Sequence, residues 1–589
     1  LTAAQFSDLG LSTIDSTTEL ALINRVLDTA TTAQVDTYAE LSGLASTVVG
    51  IMVTAAGGVA VPTITAADLA AIGLTGVTSA NLASVLGAIA GTADDGSGVD
   101  TIVELQALVD QVVNDAKAAA LAIITGYNGS NTAPTANDYS NAGIAGVTSS
   151  SLGLVNTIIA TSAGTAKDTA AEVQVIADIA ASLLAGADGN GANNNVTLTA
   201  SQYALIGLTT IDDATKASLL NDAIDAMTSS QVDTQTELLA LASIVNRLMS
   251  TAADGSPSPA LTASDFATLG ITGVTADNLP AVIAAIEASA NDGTGIDTMA
   301  ELQALVTGAV NSYTTSLATI SGYTGSNSAP TATDYTNVGV TGVDAGNLAA
   351  INSVIGPQNS TSTDTRVEIQ AIVDAYNVIL GAADGVSGTG GTLTAAQFEL
   401  LGVTTINTSA EALLLSLVTD QLTVTQVDTL TELNALASIV DRIQTVAAGG
   451  TASPLLTAAD FALLGITDVT SSNLSAVIAA IAATADDGSG VDTFSELSAV
   501  CSSAAQQAFD DALARISAYD GSNTVPVQLD YDLIGVTGIS NANRAIINTA
   551  INVLSADATD SVAEVQATID AYRLVIAAAD GVSDGDPVL

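Results

Sequence analysis

The sequence predicts an all-α protein, a tandem array of nine small three-helix modules, and three observations indicate this fold class. Apolar residues recur at helical spacing along the chain, and Gly or polar turn residues separate the apolar segments. The 589 residues exceed what one hydrophobic core usually supports. The signature Asp-[Thr/Ser]-x-x-Glu occurs nine times at spacings of 64 to 68 residues, beginning at Asp36, Asp100, Asp168, Asp233, Asp297, Asp364, Asp428, Asp492 and Asp560.

The nine signatures fall into three types that return every 195 to 197 residues. A module of about 65 residues therefore lies within a super-repeat A-B-C of about 196 residues. Leu1 and Leu589 occupy equivalent positions of the super-repeat, so we expect the chain to be a window of a longer periodic array. The predicted modules, called segments below, are A1 (1–62), B1 (63–134), C1 (135–196), A2 (197–260), B2 (261–330), C2 (331–391), A3 (392–455), B3 (456–526) and C3 (527–589).

Segment B2 illustrates the three predicted helices in order. Thr262 caps a short first helix, and Gly270 ends it. The second helix begins near Leu279, with a proline tolerated in its first turn. The third and longest helix begins at a capping box formed by Thr298 and Glu301, a spacing that all nine segments keep. Because such a small bundle is close to the lower limit of independent stability, we expect neighbouring segments to bury surface against one another.

Composition excludes several classes of partner. The chain carries 61 acidic and 10 basic residues, a net charge of -51, without a basic cluster. Phosphate neutralisation requires basic side chains, so we expect neither a nucleic-acid partner nor binding to an anionic membrane surface. The uncharged run 69–93 is long enough for a membrane span, but Gly, Thr, Ser and Asn interrupt it, which favours buried helix faces over membrane insertion.

We expect no enzymatic activity. The chain has no His, which rules out a Ser-His-Asp triad and a His-ligated metal. None of the three lysines follows a Gly, so no P-loop is present. Near-identical carboxylates recur in three copies along the chain. An active site seldom needs three such copies, so this repetition favours a structural role for them. The single cysteine, Cys501, occupies a helix position that holds Val109 and Val306 in related segments, and we interpret it as a core residue.

The B segments share an acidic loop, TADDGSGVDT at 92–101 and 484–493 and SANDGTGIDT at 289–298. One hypothesis is a calcium site, since calcium binds oxygen ligands that often include two or more carboxylates. The other is a turn followed by a helix cap, with an Asp at the positive end of the third helix. The candidate calcium ligands are Asp94, Asp95, Asp100, Asp292, Asp297, Asp486, Asp487 and Asp492.

The junctions between segments carry turn-forming sequences. At the B-to-C junctions, GYNGSNTAP and its two relatives are followed by an Asp-Tyr pair, at 138–139, 334–335 and 530–531. Here we expect a shaped turn, with the pair packing neighbouring segments at a fixed angle. Carbohydrate binding through exposed tyrosines is the alternative. The Asp/Gly-rich C-to-A junctions are predicted to be looser loops and a further place for calcium.

The stretch IGVTGISNANRAIINTAINVL…SVAEVQATIDAYRLVI (534–576) resembles the three-helix GA and FIVAR-type modules of bacterial surface proteins. It has their G-[V/I]-[S/T] link, Asn-rich second helix and V-x-x-[V/L]-x-x-[L/I]-I-D third helix. The array as a whole is similar to repeat regions of very long bacterial adhesins and of matrix proteins secreted into calcium-rich media. The resemblance implies a secreted or cell-surface protein. GA modules are typically rich in Lys and this chain is not, so albumin binding is not implied.

These observations lead to three functional hypotheses. The first is a structural segment of a long extracellular protein whose copies self-associate into a fibre, sheath or surface layer. Its acidity keeps it soluble, and divalent cations such as calcium would screen its charge. The second is the passive stalk of an adhesin that projects a distal binding domain. The third is an array of host-protein or glycan-binding modules, which should present exposed aromatic or Arg anchors; Arg247 and Arg442 are at matching positions, but no Arg stripe follows the array.

Overall fold

The computed structural model describes residues 1–93, 95–191, 193, 195–253, 255–290, 292–386, 388, 390–485 and 487–579. All regular structure in these residues is helical, which confirms the predicted all-α class. The extended pairing in the described ranges consists of two isolated antiparallel bridges, Asp188 with Thr228 and Asp384 with Thr423.

Each segment contains a short first α-helix, a longer second one and a third that is the longest. In segments A1 to C1 they are α1 (Ala3–Asp8), α2 (Thr17–Thr29), α3 (Tyr38–Ala55), α4 (Ala66–Ala71), α5 (Leu82–Ala90), α6 (Ile102–Thr125), α7 (Ala136–Asn141), α8 (Leu152–Thr161) and α9 (Ala170–Gly186).

The same order returns in the next two super-repeats. Segments A2 to C2 contain α10 (Ala200–Leu205), α11 (Ala214–Asp225), α12 (Gln235–Ala252), α13 (Ala263–Thr268), α14 (Leu279–Glu287), α15 (Met299–Ser321), α16 (Ala332–Val338), α17 (Leu348–Ile355) and α18 (Arg366–Ala382). Segments A3 to C3 contain α19 (Ala395–Leu400), α20 (Ser409–Thr419), α21 (Leu430–Ala447), α22 (Ala458–Leu463), α23 (Leu474–Ala482), α24 (Phe494–Ser517), α25 (Gln528–Leu533), α26 (Arg544–Asn552) and α27 (Val562–Ala578).

Within the described ranges, six short 3₁₀ helices precede the third helix of the A and C segments, a feature that the sequence pattern did not predict. They are Thr32–Gln34, Gly164–Ala166, Ser229–Gln231, Ser360–Ser362, Val424–Gln426 and Ala556–Ala558. In segment B2, Thr262 caps α13 as predicted, and Gly270 follows its end with a φ of 86°. This left-handed backbone favours glycine, which explains the Gly at the end of the first helix.

The chain divides into two compact units, residues 1–272 with 286–303 and residues 273–285 with 304–589. In the first unit, one hydrophobic cluster joins A1 to B1, from Phe6 to Val109. Within it, α3 packs against α2, α4 and α5, and the beginning of α6 closes the cluster against α2. Further along this unit, α9 packs against α11 and α8 against α12, so C1 lies against A2.

In the second unit, one cluster joins C2, A3 and B3 and extends along the chain to Cys501. There α18 packs against α19 and α20, α17 against α21, and α21 against α23. A separate cluster forms the core of C3 together with the end of α24, at Ala512 and Ile516. Neighbouring segments therefore share cores, as expected for modules of this size.

The third helices of B1 and B3 each contact two different cores. In α6, Val109 is buried with A1 and B1, while Ala120 and Ile124 are buried near α7. Every residue from Asp110 to Ala119, all of them described, is at least partly exposed. We call this ten-residue stretch the helix waist; in α24 the corresponding stretch lies between Cys501 and Ala512.

The apolar stretches are accounted for by burial in these cores. Leu69, Ile72, Val85 and Ile89, within the long uncharged run, are all buried. Within the described residues, one helix, Tyr38–Ala55, is long and apolar enough to cross a membrane by length and composition. Half of that helix is buried in the protein, and core helices of soluble proteins pass the same test.

Candidate functional site

In each acidic loop, the Asp directly before the first Gly stabilises its own turn. The Oδ1 atoms of Asp95, Asp292 and Asp487 accept a hydrogen bond from the backbone N–H two residues later, at 3.0, 3.1 and 3.1 Å. Hydrogen bonds from the residue two positions later hold the pKa of all three carboxyl groups below its usual value; the backbone N–H contributes most at Asp95 and Asp292, and the Ser489 hydroxyl contributes most at Asp487. Each loop therefore has one ionised carboxylate that its own backbone already engages.

The last Asp of each loop lies directly before the cap of the third helix. Burial raises the pKa of Asp100, and so does the adjacent carboxyl of Glu104. Burial likewise leads the upward pKa shifts of Asp297 and Asp492. Glu104 itself accepts from the Thr101 hydroxyl at 2.8 Å, which lowers its pKa. Glu104 thus completes the predicted capping box with Thr101, directly after Asp100.

The calcium prediction is neither confirmed nor contradicted. Asp94 and Asp486 lie outside the described residues, so each B1 and B3 loop offers two described carboxylates from the predicted set. Within the part of the chain that the structure describes, no group of three or more His, Cys, Asp or Glu side chains is arranged to hold a metal ion. Calcium prefers six to eight oxygen ligands, and carbonyl groups of the Gly-rich turns would have to complete such a set.

The acidic loops also hold the B segments against the A segments. Gly96 adopts a φ of 73°, and a Cβ at this position would lie 2.6 Å from the Met52 Sδ atom. Gly293 is packed in the same way against Met249. In the third copy, the Gln444 side chain donates to the Val491 carbonyl at 3.1 Å. Close packing against the third helix of an A segment explains why the glycine-rich insertion occurs only in the B segments.

The tyrosines of the Asp-Tyr pairs are structural. Tyr139, Tyr335 and Tyr531 are fully buried, and burial raises the pKa of each phenol. The Tyr139 hydroxyl donates to Asn156 Oδ1 at 2.6 Å, and Asn156 donates to the Pro134 carbonyl at 2.9 Å. Tyr531 lies in one core with Ala512 and Ile516 of α24, and Arg515 of that helix donates to Asp530 at 3.0 Å, so the pair packs C3 against B3 as predicted. These three rings are not available to stack on a sugar.

The two matching arginines form ion pairs. Arg247 contacts both carboxylate oxygens of Asp265 at 2.6 and 2.9 Å, and Arg442 contacts Asp460 in the same way at 2.9 and 3.1 Å. Both Asp residues also accept from the caps of the following helices, at Thr262 and Thr457. Their pKa values are lowered by these contacts, against the effect of burial. The arginines hold an A segment to the next B segment and are not exposed anchors.

The junction between C1 and A2 is a closely packed interface, as expected for such small segments, and it contains polar contacts that the sequence did not predict. Gln235, at the start of α12, is buried. Its backbone N–H donates to the Thr157 hydroxyl at 3.1 Å, and its side chain donates to the Ile206 carbonyl at 2.7 Å. The junction chain is also fixed, because the Asn195 N–H donates to the buried Asp225 carboxylate at 2.9 Å.

The junction between C2 and A3 repeats this interface with different side chains. The Tyr376 hydroxyl donates to the Val427 carbonyl at 2.8 Å, and the Leu430 N–H donates to the Ser353 hydroxyl at 3.0 Å. Asp420, equivalent to Asp225, is almost fully buried and accepts from the backbone N–H groups of Gly388 and Gly390. The described parts of these junctions are therefore ordered by a buried carboxylate, contrary to the expectation of looser loops.

One sequence signal could have identified this interface. An Asp occupies the same position near the end of the second helix in all three A segments, at 28, 225 and 420. Its buried acceptor role depends on a junction more than 25 residues away along the chain, which periodicity alone does not reveal.

Cys501 is confirmed as a core residue. Its side chain is fully buried beside Leu497, and burial raises the pKa of its thiol to about 12. A thiolate is therefore disfavoured at neutral pH.

Comparisons with protein-family models, with curated proteins and with solved structures each found no match.

Proposed function

We propose that this chain is a non-enzymatic structural segment of a long extracellular bacterial protein, and that its copies self-associate into a fibre, sheath or surface layer. In this proposal the chain is an array of nine three-helix modules. The helix order supports it, since three α-helices fall within each of the nine segments. GA/FIVAR-like relatedness remains a resemblance of residues 534–576 and carries no binding activity into the proposal.

The observation that carries the proposal is the twice-repeated C-to-A interface. The same helices meet in the same way at both junctions, with Asp225 or Asp420 buried at the centre. A surface pair that recurs at a fixed period is suited to building an assembly of fixed spacing. The anchors considered for a binding array are occupied, since the Asp-Tyr rings are buried and both matching arginines are paired.

A passive stalk is the second candidate, and the helix waist is the observation that favours it. Between two cores the chain continues as one exposed helix, which adds length without adding a binding surface. A stalk and a fibre differ in whether separate copies associate. That difference can be measured directly.

Electron microscopy of the purified chain, in millimolar calcium and again after chelation, tests the proposal. We expect ordered multi-chain fibres or sheets whose repeat matches one A-B-C unit. Single rods under both conditions would contradict self-association and leave the stalk. Loss of order on chelation would support calcium as the screening cation.

A matched variant separates specific binding from general charge screening. Asp95→Asn, Asp292→Asn and Asp487→Asn together remove one carboxylate from each loop, and Asp110→Asn, Asp115→Asn and Asp511→Asn remove three exposed carboxylates elsewhere. Loss of the calcium response in the first variant alone would support loop sites. An equal loss in both would indicate screening, and an unchanged response would exclude a need for these carboxylates.

A further inference from the structure

The third helix of B2 is one residue shorter than those of B1 and B3. α6 and α24 each contain 24 residues, whereas α15 contains 23. The sequences of B1 and B2 align without a gap from the capping Thr to Val109 and Val306, and again from Ile124 and Ile320 into the following turn. The missing residue therefore lies between Val306 and Ile320, in the part of the helix between the two cores.

The missing residue turns the end of the helix relative to its beginning, because each residue of an α-helix adds about 100° of rotation. Val109 and Ile124 are both buried, and their spacing leaves Ile124 about 60° past Val109 around the axis of α6. Val306 and Ile320 are also buried, but their shorter spacing leaves Ile320 about 40° short of Val306. C1 and C2 are therefore attached to different sides of the helices that carry them.

The two junctions differ accordingly in what the C segment contacts. In C2, a Cβ atom on Gly339, directly after α16, would lie 3.1 Å from the Cβ atom of Pro280 in the first turn of α14. In C1, a Cβ atom on the equivalent Gly143 would meet nothing within 4 Å. Ala281 is 8% exposed, whereas the equivalent Ser84 is exposed. We call the B2–C2 junction closed and the B1–C1 junction open.

Side chains of α15 fill the closed junction. Tyr313 and Ser316 are 7% and 3% exposed, whereas every residue of the α6 waist is at least partly exposed. The Ser316 hydroxyl donates to Asp334 Oδ1 at 2.9 Å, which connects α15 to α16. Burial and the Asp277 carboxylate raise the pKa of the Tyr313 phenol, and Arg366, the first residue of α18, opposes this rise. Tyr313 therefore lies close to both the loop before α14 and the start of α18.

We propose that the number of residues between the two cores of a third B helix determines the side on which the next C segment is held, and that the missing residue of α15 closes the B2–C2 junction. The chain would thus contain two kinds of B–C junction, an open one with an exposed waist and a closed one with tertiary contacts along the helix. The inference concerns a single chain, so it stands or falls independently of self-association between copies.

Side-chain chemistry is the competing cause of closure, since Tyr313 and Arg366 stand where B1 and C1 have Ala116 and Ala170. Rotation by the backbone acts whatever the side chains are, because helix geometry fixes it. The larger side chains would then fill a junction that the rotation has already closed. Changing the helix length and the side chains separately distinguishes the two causes.

Disulfide trapping in the full chain tests the inference. Pro280→Cys with Gly339→Cys reports on the B2–C2 junction, where we expect a disulfide under mild oxidation, because bonded cysteines need Cβ atoms roughly 3.5–4.5 Å apart. Ala83→Cys with Gly143→Cys reports on the B1–C1 junction, where we expect none. Both glycines have a positive φ, so the cysteines add a similar strain to the two junctions.

The helix length is then changed in each junction. One alanine inserted between Thr314 and Thr315 should lower the yield of the B2–C2 disulfide roughly tenfold or more, and deletion of Ala118 should make the B1–C1 disulfide form. Tyr313→Ala with Arg366→Ala, which keeps the length, should retain the B2–C2 disulfide. Circular dichroism checks that each variant remains helical.

Three results would overturn the inference. A B2–C2 pair that fails to oxidise at the original length would contradict the closed junction itself. A B2–C2 disulfide that survives the insertion but is lost with Tyr313→Ala and Arg366→Ala would make side-chain packing the cause. The third is a helical deletion variant whose B1–C1 cysteines remain unbonded. Because the deletion removes a residue from an exposed waist, it decides the question even where the insertion disrupts the B2–C2 core.

Discussion

The chain connects its segments in two different ways. A C segment meets the next A segment through a buried interface, in which α9 packs against α11 and a carboxylate such as Asp225 fixes the connecting chain. B1 and B3 continue into the next C segment through one helix with an exposed waist, as in α6, whereas the equivalent helix of B2, α15, buries Tyr313 and Ser316 partway along. Segments of nearly equal length are therefore not equally independent. The shared cores group as C-A-B, whereas the sequence repeat is most simply read as A-B-C.

Breaking the buried connection should have the largest effect. Leu401→Ala removes a fully buried side chain in the C2–A3 core, and we expect the free energy of unfolding to fall by about 2–5 kcal/mol. Leu9→Ala, at the equivalent but half-exposed position, should cost less than about 1 kcal/mol when measured at a concentration where the chain is monomeric. Urea denaturation measures both. Equal losses would contradict the different roles of A1 and A3.

Breaking the single-helix connection should lower helix stability by a similar amount, but the structural change should stay within the waist. Ala118→Pro, in the waist of α6, removes one backbone hydrogen bond and clashes with the preceding turn, at about 3 kcal/mol. We expect faster amide hydrogen exchange around residue 118, with unchanged protection at Val48 and at Ile176 in the two cores. Ala118→Gly, at about 1 kcal/mol, is the milder control. Loss of protection in either core would show that the waist is not independent.

Removing the buried carboxylate tests the polar part of the C-to-A interface. Asp420→Ala leaves the backbone N–H groups of Gly388 and Gly390 without their acceptor, and we expect a loss of about 1–3 kcal/mol in thermal or urea unfolding. The exposed equivalent in A1 provides the control, since Asp28→Ala should change stability by less than about 0.5 kcal/mol. A neutral Asp420→Ala would mean that the junction is held by apolar packing alone.

The smallest predicted effect is the dependence of folding stability on pH, to which carboxyl groups in many segments contribute. A raised carboxyl pKa means that the folded chain binds the proton more tightly than the unfolded chain, so stability rises as pH falls from neutral toward 4. Lowered Glu pKa values act in the opposite direction, and their contribution is lost below about pH 4.5. We therefore expect maximal stability at mildly acidic pH, which urea midpoints between pH 3 and 8 would measure. At the Asp-Glu pairs, the Asp groups with a raised pKa are Asp36, Asp100, Asp168, Asp297, Asp364, Asp428, Asp492 and Asp560, and burial also raises the pKa of Asp222 and Asp441.

The dependence of stability on pH should be the same for the two kinds of connection between segments. The Asp-Glu pairs lie at the start of the third helix in every type of segment, so both kinds of connection should respond. A stability that falls steadily from pH 7 to pH 4 would contradict the raised Asp values. It would indicate that the lowered Glu and ion-paired Asp groups dominate.

Local features of the fold could be predicted from the sequence, because they depend on residues a few positions apart. Thr298 with Glu301 marks the start of α15, and Gly270 marks the end of α13. The buried state of Cys501 followed from the repeat alignment. Each of these signals is contained within one helix or in one helix position compared across copies.

Contacts between distant residues could not be predicted in the same way. The Asp-Tyr pairs were expected to pack neighbouring segments, and Tyr531 does share a core with α24, but the hydrogen bond from Tyr139 to Asn156 was not predicted. The C-to-A loops were expected to be loose because Gly and Asp favour flexible turns, yet the partner that orders them, Asp225, lies on another helix. A periodic sequence specifies which residues are equivalent, and the cores then depend on which equivalent surfaces meet.

The helix waist has a mechanical consequence for a chain under tension. The covalent path from the A1/B1 core to the C1 core is α6, and its ten waist residues gain little from tertiary burial. A helix rises 1.5 Å per residue and an extended chain about 3.3–3.6 Å, so uncoiling the waist would lengthen the molecule by roughly 20 Å while both cores stay folded. Repeated along an array, such waists would act as extensible springs in series, and single-molecule pulling would record them as short reversible extensions before any core unfolds.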